Sequence, residues 1–180
     1  MNRCSRTLVL SSAILALAGC STLDNQQPAR RIIATATLLD PGGAVTGNAT
    51  IAAIGDRYDL EVEARNITPG PHGLHLHTVG RCQPRDFSSA GGHLNPFNRQ
   101  HGALNPAGSH LGDIANMEVA ADGSGKVNAL LDGTRQEIEA RVFDEDGTAI
   151  VLHAGPDDYR TDPSGSSGGR IACGVFARVR

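Results

Sequence analysis

Residues 57–65 read Arg57-Tyr58-Asp59-Leu60-Glu61-Val62-Glu63-Ala64-Arg65, and polar and apolar side chains alternate over the whole stretch. Successive side chains of a β-strand point to opposite faces, so this pattern predicts a strand with one buried and one solvated face. Antiparallel sheets commonly show this alternation. The inward-facing residues would be Tyr58, Leu60, Val62 and Ala64.

Similar short stretches lie on both sides of this strand, and turn signals such as Asp40-Pro41-Gly42-Gly43 and Asp122-Gly123 separate them. Residues 137–142 repeat the alternation and are also predicted to form a strand. Short strands at this spacing predict an antiparallel sandwich or barrel. The other predicted strands are 31–39, 44–54, 73–79, 117–121, 126–131, 149–154 and 171–178.

Two stretches, residues 80–115 and 155–170, have no such periodicity. Loops this long are uncommon inside a compact domain unless they are functional. Something other than an apolar core must order them, and a metal ion and a disulfide are the obvious candidates.

All seven histidines lie between residues 72 and 153. His75 and His77 are two residues apart on a predicted strand, so both rings point to one face and can reach one ion. His72 is three residues before His75, so a continuous strand would send it to the opposite face. We interpret His72 as a structural residue that hydrogen-bonds to backbone.

The first irregular stretch adds residues that suit a zinc site. Three imidazoles and one carboxylate form a closed tetrahedral set for Zn²⁺, which has no redox chemistry. His75, His77 and the distant His153 leave an all-nitrogen site, which suits Cu²⁺. Solvated loop histidines and a surface aspartate are the alternative for each residue taken singly. The zinc candidates are His93, His101, His110 and Asp113.

Residues 1–19 have the features of an export signal, because Arg3 and Arg6 precede a short apolar run that ends in small residues. A membrane anchor helix is the alternative, although the run is short for a bilayer span. Leu17-Ala18-Gly19-Cys20 resembles the lipobox of bacterial lipoproteins, which implies cleavage before Cys20 and acylation of that cysteine. Residues 20–30 would then form a lipidated tether.

The cysteines and the charge narrow the class of protein. Once Cys4 is removed and Cys20 is lipidated, Cys82 and Cys173 remain, and such a pair in an exported protein argues for a disulfide over two free thiols. The net charge is −3, and removal of two arginines with the signal leaves −5. No basic cluster indicates a nucleic-acid partner.

Several motifs, in order along residues 31–179, resemble the copper/zinc superoxide dismutases. The resemblance implies an all-β domain over residues 31–180. The expected fold is an eight-stranded antiparallel Greek-key β-barrel or sandwich, immunoglobulin-like, with long metal-binding and electrostatic loops. The motifs are Gly70-Pro71-His72-Gly73-Leu74-His75-Leu76-His77, Ser89-Ala90-Gly91-Gly92-His93-Leu94-Asn95-Pro96, His101-Gly102, His110-Leu111-Gly112-Asp113-Ile114-Ala115-Asn116, Val151-Leu152-His153, Asp157-Asp158 and Gly169-Arg170-Ile171-Ala172-Cys173-Gly174-Val175.

The same resemblance implies one copper and one zinc ion per subunit, with His93 bridging the two. It implies that Asp157 links copper and zinc ligands by hydrogen bonds, that Arg170 attracts and orients the substrate, and that Cys82 and Cys173 form the disulfide. Arg160 is a candidate for a further steering charge, with an ordinary surface position as the alternative. The implied ligands are His75, His77, His93 and His153 for copper, and His93, His101, His110 and Asp113 for zinc.

The implied activity is dismutation of superoxide to O₂ and H₂O₂ by cycling of Cu²⁺ and Cu⁺, with zinc structural. The alternatives are an envelope copper- and zinc-binding module without turnover and a structural surface lipoprotein. Only the enzyme needs Arg170 beside an open copper position. The expected location is the bacterial cell envelope, lipid-anchored to a membrane that faces the periplasm or at the cell surface. Ser21 favours the outer membrane, and the sequence leaves monomer and homodimer open.

Overall fold

The computed structural model describes residues 29–179. The predicted export signal and the lipidated Cys20 lie outside the described residues, as does most of the tether. Within residues 29–179, no helix is long and apolar enough to cross a bilayer. The strands in this part of the chain are β1 (Arg30–Leu39), β2 (Val45–Ile54), β3 (Arg57–Ala64), β4 (Gly70–His77), β5 (Asp113–Val119), β6 (Gly125–Leu130), β7 (Ala149–His153), β8 (Arg170–Val175) and β9 (Ala177–Arg178). The same residues include one α-helix, α1 (Arg135–Val142), and a short 3₁₀ helix at Ser88–Ala90.

The first eight strands form a closed antiparallel barrel. Their order is β2-β3-β6-β5-β4-β7-β8-β1, and β1 also pairs with β2, which closes the sheet. Strands β3 and β6, and likewise β4 and β7, are neighbours although they are not consecutive, which is Greek-key connectivity. The two-residue β9 pairs with β1. The predicted eight-stranded antiparallel fold is confirmed.

The barrel interior is apolar, as the alternation on β3 predicts. Tyr58, Leu60, Val62 and Ala64 are all buried and belong to the main core cluster. Burial of each large apolar side chain stabilises the fold by about 1.5–3 kcal/mol.

Strands β4 and β7 are buried on both faces, unlike β3. Leu74 and Leu76 of β4 point into the main core, whereas His75 and His77 point to the outer face. The outer face is covered by the two irregular stretches. A second, small apolar cluster lies there and consists of Phe87, Ala90, Ala149, Val151 and Cys173, with Cys82 packed against it.

The strand predicted over residues 137–142 is wrong, because this segment lies in helix α1. Thr134 caps the helix: its hydroxyl accepts the N–H of Glu137, and the Glu137 carboxylate accepts the N–H of Thr134. Only Ile138 and Val142 are buried on the helix, four residues apart as on one helical face. Six residues are too few for the apparent period of two to exclude a period of 3.6.

Candidate metal centre

The outer face of β4 and the end of β7 bring together three of the predicted copper ligands. His75 and His77 are alternate residues of β4, and His153 is the last residue of β7. A register shift between Leu152 and His153 interrupts the β7–β8 ladder, and such irregularities redirect the side chain beside them. His93 joins the group because it pairs with His77 in an isolated bridge.

One ring nitrogen of each of these four histidines is buried and has no hydrogen-bond partner within residues 29–179. The ligand atoms of the four residues lie within 4.8 Å of one another. A buried polar atom without a partner is costly, so four that converge indicate a site for a group that binds them all. Soft and borderline metals accept such imidazole ligands. The unpartnered atoms are His75 Nδ1, His77 Nε2, His93 Nε2 and His153 Nε2.

The predicted zinc ligands surround the carboxylate of Asp113, the first residue of β5. Its Oδ1 lies 3.0 Å from His93 Nδ1, 3.0 Å from His101 Nδ1 and 3.1 Å from His110 Nδ1. Four atoms placed tetrahedrally around zinc at its usual bond lengths are about 3.3 Å apart, so these separations fit a zinc ion. The other carboxylate oxygen, Oδ2, accepts the backbone N–H groups of Gly102 and His110, which fixes the orientation of Asp113.

A ligand atom of His75 also lies within 4.8 Å of those of His93, His101 and Asp113. We assign His110 to this group, because its Nδ1 faces the same Asp113 oxygen as the Nδ1 atoms of His93 and His101. His75 Nε2 lies 2.8 Å from Asp157, whereas its unpartnered Nδ1 belongs to the set formed with His77, His93 and His153. We call these four histidines the copper group and the residues around Asp113 the zinc group.

Each predicted ligand histidine except His93 uses its remaining ring nitrogen in a hydrogen bond to a group outside the two metal groups. Such a bond fixes the tautomer and leaves the other nitrogen free for a metal. The acceptors are Asp157 Oδ2 for His75, the Gly91 carbonyl for His77, Asp157 Oδ1 for His101, the Arg99 carbonyl for His110 and the Gly168 carbonyl for His153.

His93 is the exception, because one nitrogen faces Asp113 and the other is unpartnered in the copper group. Its ring centroid lies 3.9 Å from that of His75 and 5.1 Å from that of His101. The ring therefore lies between the two groups, where the sequence predicted a bridging histidine.

Asp157, for which the sequence predicts a role in orienting the ligands, contacts one histidine of each group. It is buried, and its two carboxylate oxygens accept hydrogen bonds from His75 Nε2 and His101 Nε2 at 2.8 and 2.9 Å. Gly165 has a positive φ and lies so close that a Cβ there would overlap the Asp157 carboxylate. His72 lies outside both groups, and its two ring nitrogens face the carbonyl oxygens of His153 and Thr68, which confirms its structural role.

Burial controls protonation in the copper group. It lowers the pKa of His153 to about 3 and that of His93 to about 4, and it also lowers the pKa values of His75 and His77. These rings are therefore neutral near pH 7, which is the form that binds metals. Burial also opposes protonation of His101, but hydrogen bonds to Asp113 and Asp157 outweigh it and raise its pKa to about 9.

A cavity of about 480 Å³ opens beside the copper group, and Arg170 is in its wall together with His77, His93 and His153. The Arg170 guanidinium donates hydrogen bonds to the carbonyl oxygens of Phe87 and Gly91, both at 2.6 Å. The stretch that carries these carbonyls is joined to β8 by the Cys82–Cys173 disulfide, which confirms that prediction.

The further steering charge at Arg160 is not supported. Arg160 is exposed, donates to the Leu104 carbonyl and does not line this cavity. Arg99 lines the cavity instead, as does Asp162. Sequence reasoning missed Arg99, and its only signal was its position six residues after His93 in the predicted zinc loop.

Sequence reasoning also missed Asn116 and Tyr159. Asn116 and Asp157 form a reciprocal pair: the Asn116 amide donates to the Asp157 carbonyl, and the Asp157 N–H donates to Asn116 Oδ1, both at 2.9 Å. The Tyr159 hydroxyl accepts the backbone N–H of Asn116 at 2.8 Å. These contacts join parts of the chain about forty residues apart, so no local pattern predicts them.

A closed β-barrel with two adjoining groups of metal-binding side chains around one shared histidine defines the class of this molecule. The sequence profile described as copper/zinc superoxide dismutase (SODC) matches residues 45–176. The chain is 38% identical to superoxide dismutase (Cu-Zn) 1 of Aquifex aeolicus over 159 residues, which cover 87% of this chain and 94% of that protein.

Two solved structures are also similar. A SOD-like protein from Bacillus subtilis superposes with a TM-score of 0.73 at 38% identity, over 78% of this chain and 96% of that one. The Cu/Zn superoxide dismutase from Brucella abortus gives a TM-score of 0.62 at 29% identity, over 78% of this chain and 97% of that one. The chain belongs to the copper/zinc superoxide dismutase family. Relatives at 36–38% identity are named superoxide dismutase or superoxide dismutase-like protein.

Proposed function

We propose that this chain dismutates superoxide to O₂ and H₂O₂ with one copper and one zinc ion per subunit. The observation that supports it most is His93, the one predicted ligand whose two nitrogens both face metal groups. Bound copper would supply one-electron redox chemistry by alternating between Cu²⁺ and Cu⁺. The residues that would hold copper are His75, His77, His93 and His153, and those that would hold zinc are His93, His101, His110 and Asp113.

His93 is the candidate proton donor. Its ring is in the wall of the cavity, and its Nε2 has no hydrogen-bond partner among the described residues. A proton held at Nε2 would therefore face the substrate, and general acid catalysis requires that placement. The opposite nitrogen faces Asp113, which keeps the ring from turning away.

Arg170 is the candidate residue that binds and orients the substrate anion. Its guanidinium is permanently charged and carries five N–H donors, and two of these are used in the bonds to Phe87 and Gly91. The remaining donors can bind superoxide at the cavity wall. The two carbonyl bonds fix the guanidinium, so that the anion would be held beside the copper group.

The test compares His153→Ala with His72→Gln in the copper- and zinc-loaded mature chain. His153→Ala should lose copper and dismutation while it keeps the barrel fold. His72→Gln changes a buried histidine that lies outside both groups, so it should keep copper and activity. Stoichiometric copper binding by the wild-type chain without superoxide turnover would favour the metal-binding module instead.

We further propose that the mature chain is held in the bacterial envelope by lipid on Cys20, with the outer membrane favoured by Ser21. The Cys82–Cys173 disulfide supports export, because disulfides persist mainly in oxidising compartments. Multiple acyl chains would anchor the protein stably, whereas one chain binds only marginally.

Labelling of the protein with radioactive palmitate tests the anchor. Cys20→Ser should abolish labelling and release the protein from the membrane fraction. Cys4→Ser is the matched control and should leave labelling unchanged. Equal labelling of the Cys20→Ser variant and the wild type would refute the lipid site.

A further inference from the structure

Tyr159 is attached to three separate parts of the molecule. Its backbone N–H donates to Asp157 Oδ1 at 2.7 Å. Its hydroxyl accepts the N–H of Asn116 on β5, and its carbonyl oxygen accepts the N–H of Leu104 in the loop of the zinc group, at 2.8 and 3.0 Å. The loop that carries Asp157 is thereby joined to the two segments that carry the zinc-group residues.

The bond from the Tyr159 amide acts on the carboxylate that orients two ligand histidines. Asp157 Oδ1 accepts both the Tyr159 N–H and His101 Nε2, whereas Oδ2 accepts His75 Nε2. A displacement of Tyr159 would therefore move the acceptor of a zinc-group histidine and, through the same carboxylate, that of a copper-group histidine.

The loop that carries Tyr159 packs closely against the loop that carries His101 and Gly102. Gly102 follows the zinc-group residue His101, has a φ of 100° and donates its N–H to Asp113 Oδ2. A Cβ at this position would overlap the carbonyl oxygen of Tyr159. The Tyr159 backbone therefore lies directly against the segment that fixes Asp113.

We propose that Tyr159 is a positioning residue for both metal groups, and that its hydroxyl acts together with the reciprocal Asn116–Asp157 pair to hold the Asp157 loop on β5. This inference rests on the proposed function, because it takes the Asp113 group as the zinc site. Loss of the hydroxyl would leave the Asn116 N–H without its acceptor and loosen the Tyr159 end of the loop, while the Asn116–Asp157 bonds remain. Removal of partners that orient metal ligands typically lowers metal affinity by about 10–100-fold.

The chain offers a matched control, because it contains only two tyrosines and no tryptophan. Tyr58 also carries a buried, hydrogen-bonded hydroxyl, but its partners are Glu139 and Arg135 of α1, away from the metal groups. Tyr159→Phe should lower zinc affinity by about 10-fold in competition with a chelator, and it should alter the visible spectrum of Co²⁺ bound at the zinc site. Tyr58→Phe should leave both unchanged.

Tyrosine fluorescence gives a second readout that does not depend on how well Tyr159→Phe folds. In the Tyr58→Phe protein the only emitter is Tyr159, so zinc addition should change its emission. Unchanged emission, or equal zinc affinity and an equal cobalt spectrum in Tyr159→Phe and the wild type, would overturn the proposal. An equal loss of affinity in both variants would also overturn it, because the effect would then reflect general destabilisation. A wild-type chain that binds no zinc would instead contradict the proposed function.

Discussion

The two faces of β4 are both buried, but different interactions bury them. On the inner face, Leu74 and Leu76 pack among the apolar side chains of the barrel. On the outer face, His75 and His77 lie under two irregular loops, which bury polar and charged side chains beside apolar ones. The loops are held by carboxylate–histidine hydrogen bonds, by the reciprocal Asn116–Asp157 pair and by one disulfide.

This difference separates stability from function along a single strand. The barrel face is stabilised by burial alone and requires no bound group. On the outer face, four buried nitrogens lack hydrogen-bond partners within the described part of the chain, and bound metals would satisfy them. Substitutions on the inner face should therefore change the free energy of unfolding, and substitutions on the outer face should change metal affinity and activity.

Removal of His93 should have the largest effect, because this ring belongs to both groups. His93→Ala should lower dismutation by about 1,000-fold or more, beyond the 10–100-fold cost of removing a partner of a ligand, and should reduce both copper and zinc content. Leu60→Ala on β3 is the contrasting change and should lower the free energy of unfolding by about 2–5 kcal/mol. Metal analysis, dismutation assays and urea unfolding distinguish the two. Loss of metal from a Leu60→Ala protein that remains folded would contradict the separation of stability from metal binding.

Removal of the disulfide should lower both the stability of the fold and the activity. Cys82 and Cys173 are 91 residues apart, and closing a loop of that length stabilises a fold by roughly 4–5 kcal/mol in the chain-entropy model, often less in practice. The double variant Cys82→Ala, Cys173→Ala should therefore lose about 2–5 kcal/mol in urea unfolding of the metal-free protein. Its kcat/KM should also fall, because the Phe87 and Gly91 carbonyls that hold Arg170 are on the released loop. Unchanged unfolding midpoints would contradict this account.

Neutralisation of Asp157 should act on the outer face alone. Asp157→Asn replaces an oxygen that accepts from a ligand histidine, so zinc affinity should fall by about 10–100-fold in chelator competition. Asp158→Asn is the matched control, since the Asp158 side chain is exposed and contacts only its own loop. If the two variants retain zinc equally, Asp157 does not orient the ligands.

The smallest effect is expected when the positive charge of Arg170 is removed. Arg170→Gln should lower kcat/KM by about 10-fold and weaken its dependence on ionic strength, because fixed cations near a site accelerate encounter with anions. Arg99→Gln, at the same cavity, should show a weaker effect of the same sign. Arg160→Gln should show none, since Arg160 does not line the cavity. Stopped-flow rates at several salt concentrations measure all three, and equal losses in all three would assign steering to net charge instead.

Much of the barrel could be predicted because strand alternation is a short-range rule, and the candidate ligands could be predicted from motif resemblance. The alternation on β3 identified its buried face, and the motif resemblance predicted the histidines and the aspartate that the structure brings together. Helix α1 was missed because residues 137–142 alternate as a strand would. The capping box of Thr134 and Glu137, with Ile138 and Val142 four residues apart, was the signal that could have identified it.

The contacts that hold Asp157 itself in place could not be predicted in this way. Tyr159 and Asn116 are 43 residues apart and meet only because the barrel brings β5 beside the loop after β7. The role of Arg99 in the cavity wall likewise depends on how the zinc loop folds over the strands. Such long-range placements depend on the closed topology rather than on any local pattern.

The rate of superoxide decay per bound copper tests the central claim most directly. The account predicts that the mature chain, loaded with one copper and one zinc, reacts with superoxide near the ceiling of roughly 10⁸–10⁹ M⁻¹s⁻¹. Pulse radiolysis gives this constant without a coupled dye. A fully loaded chain that leaves superoxide to decay at its spontaneous rate would contradict the account and leave a metal-binding protein on the same fold.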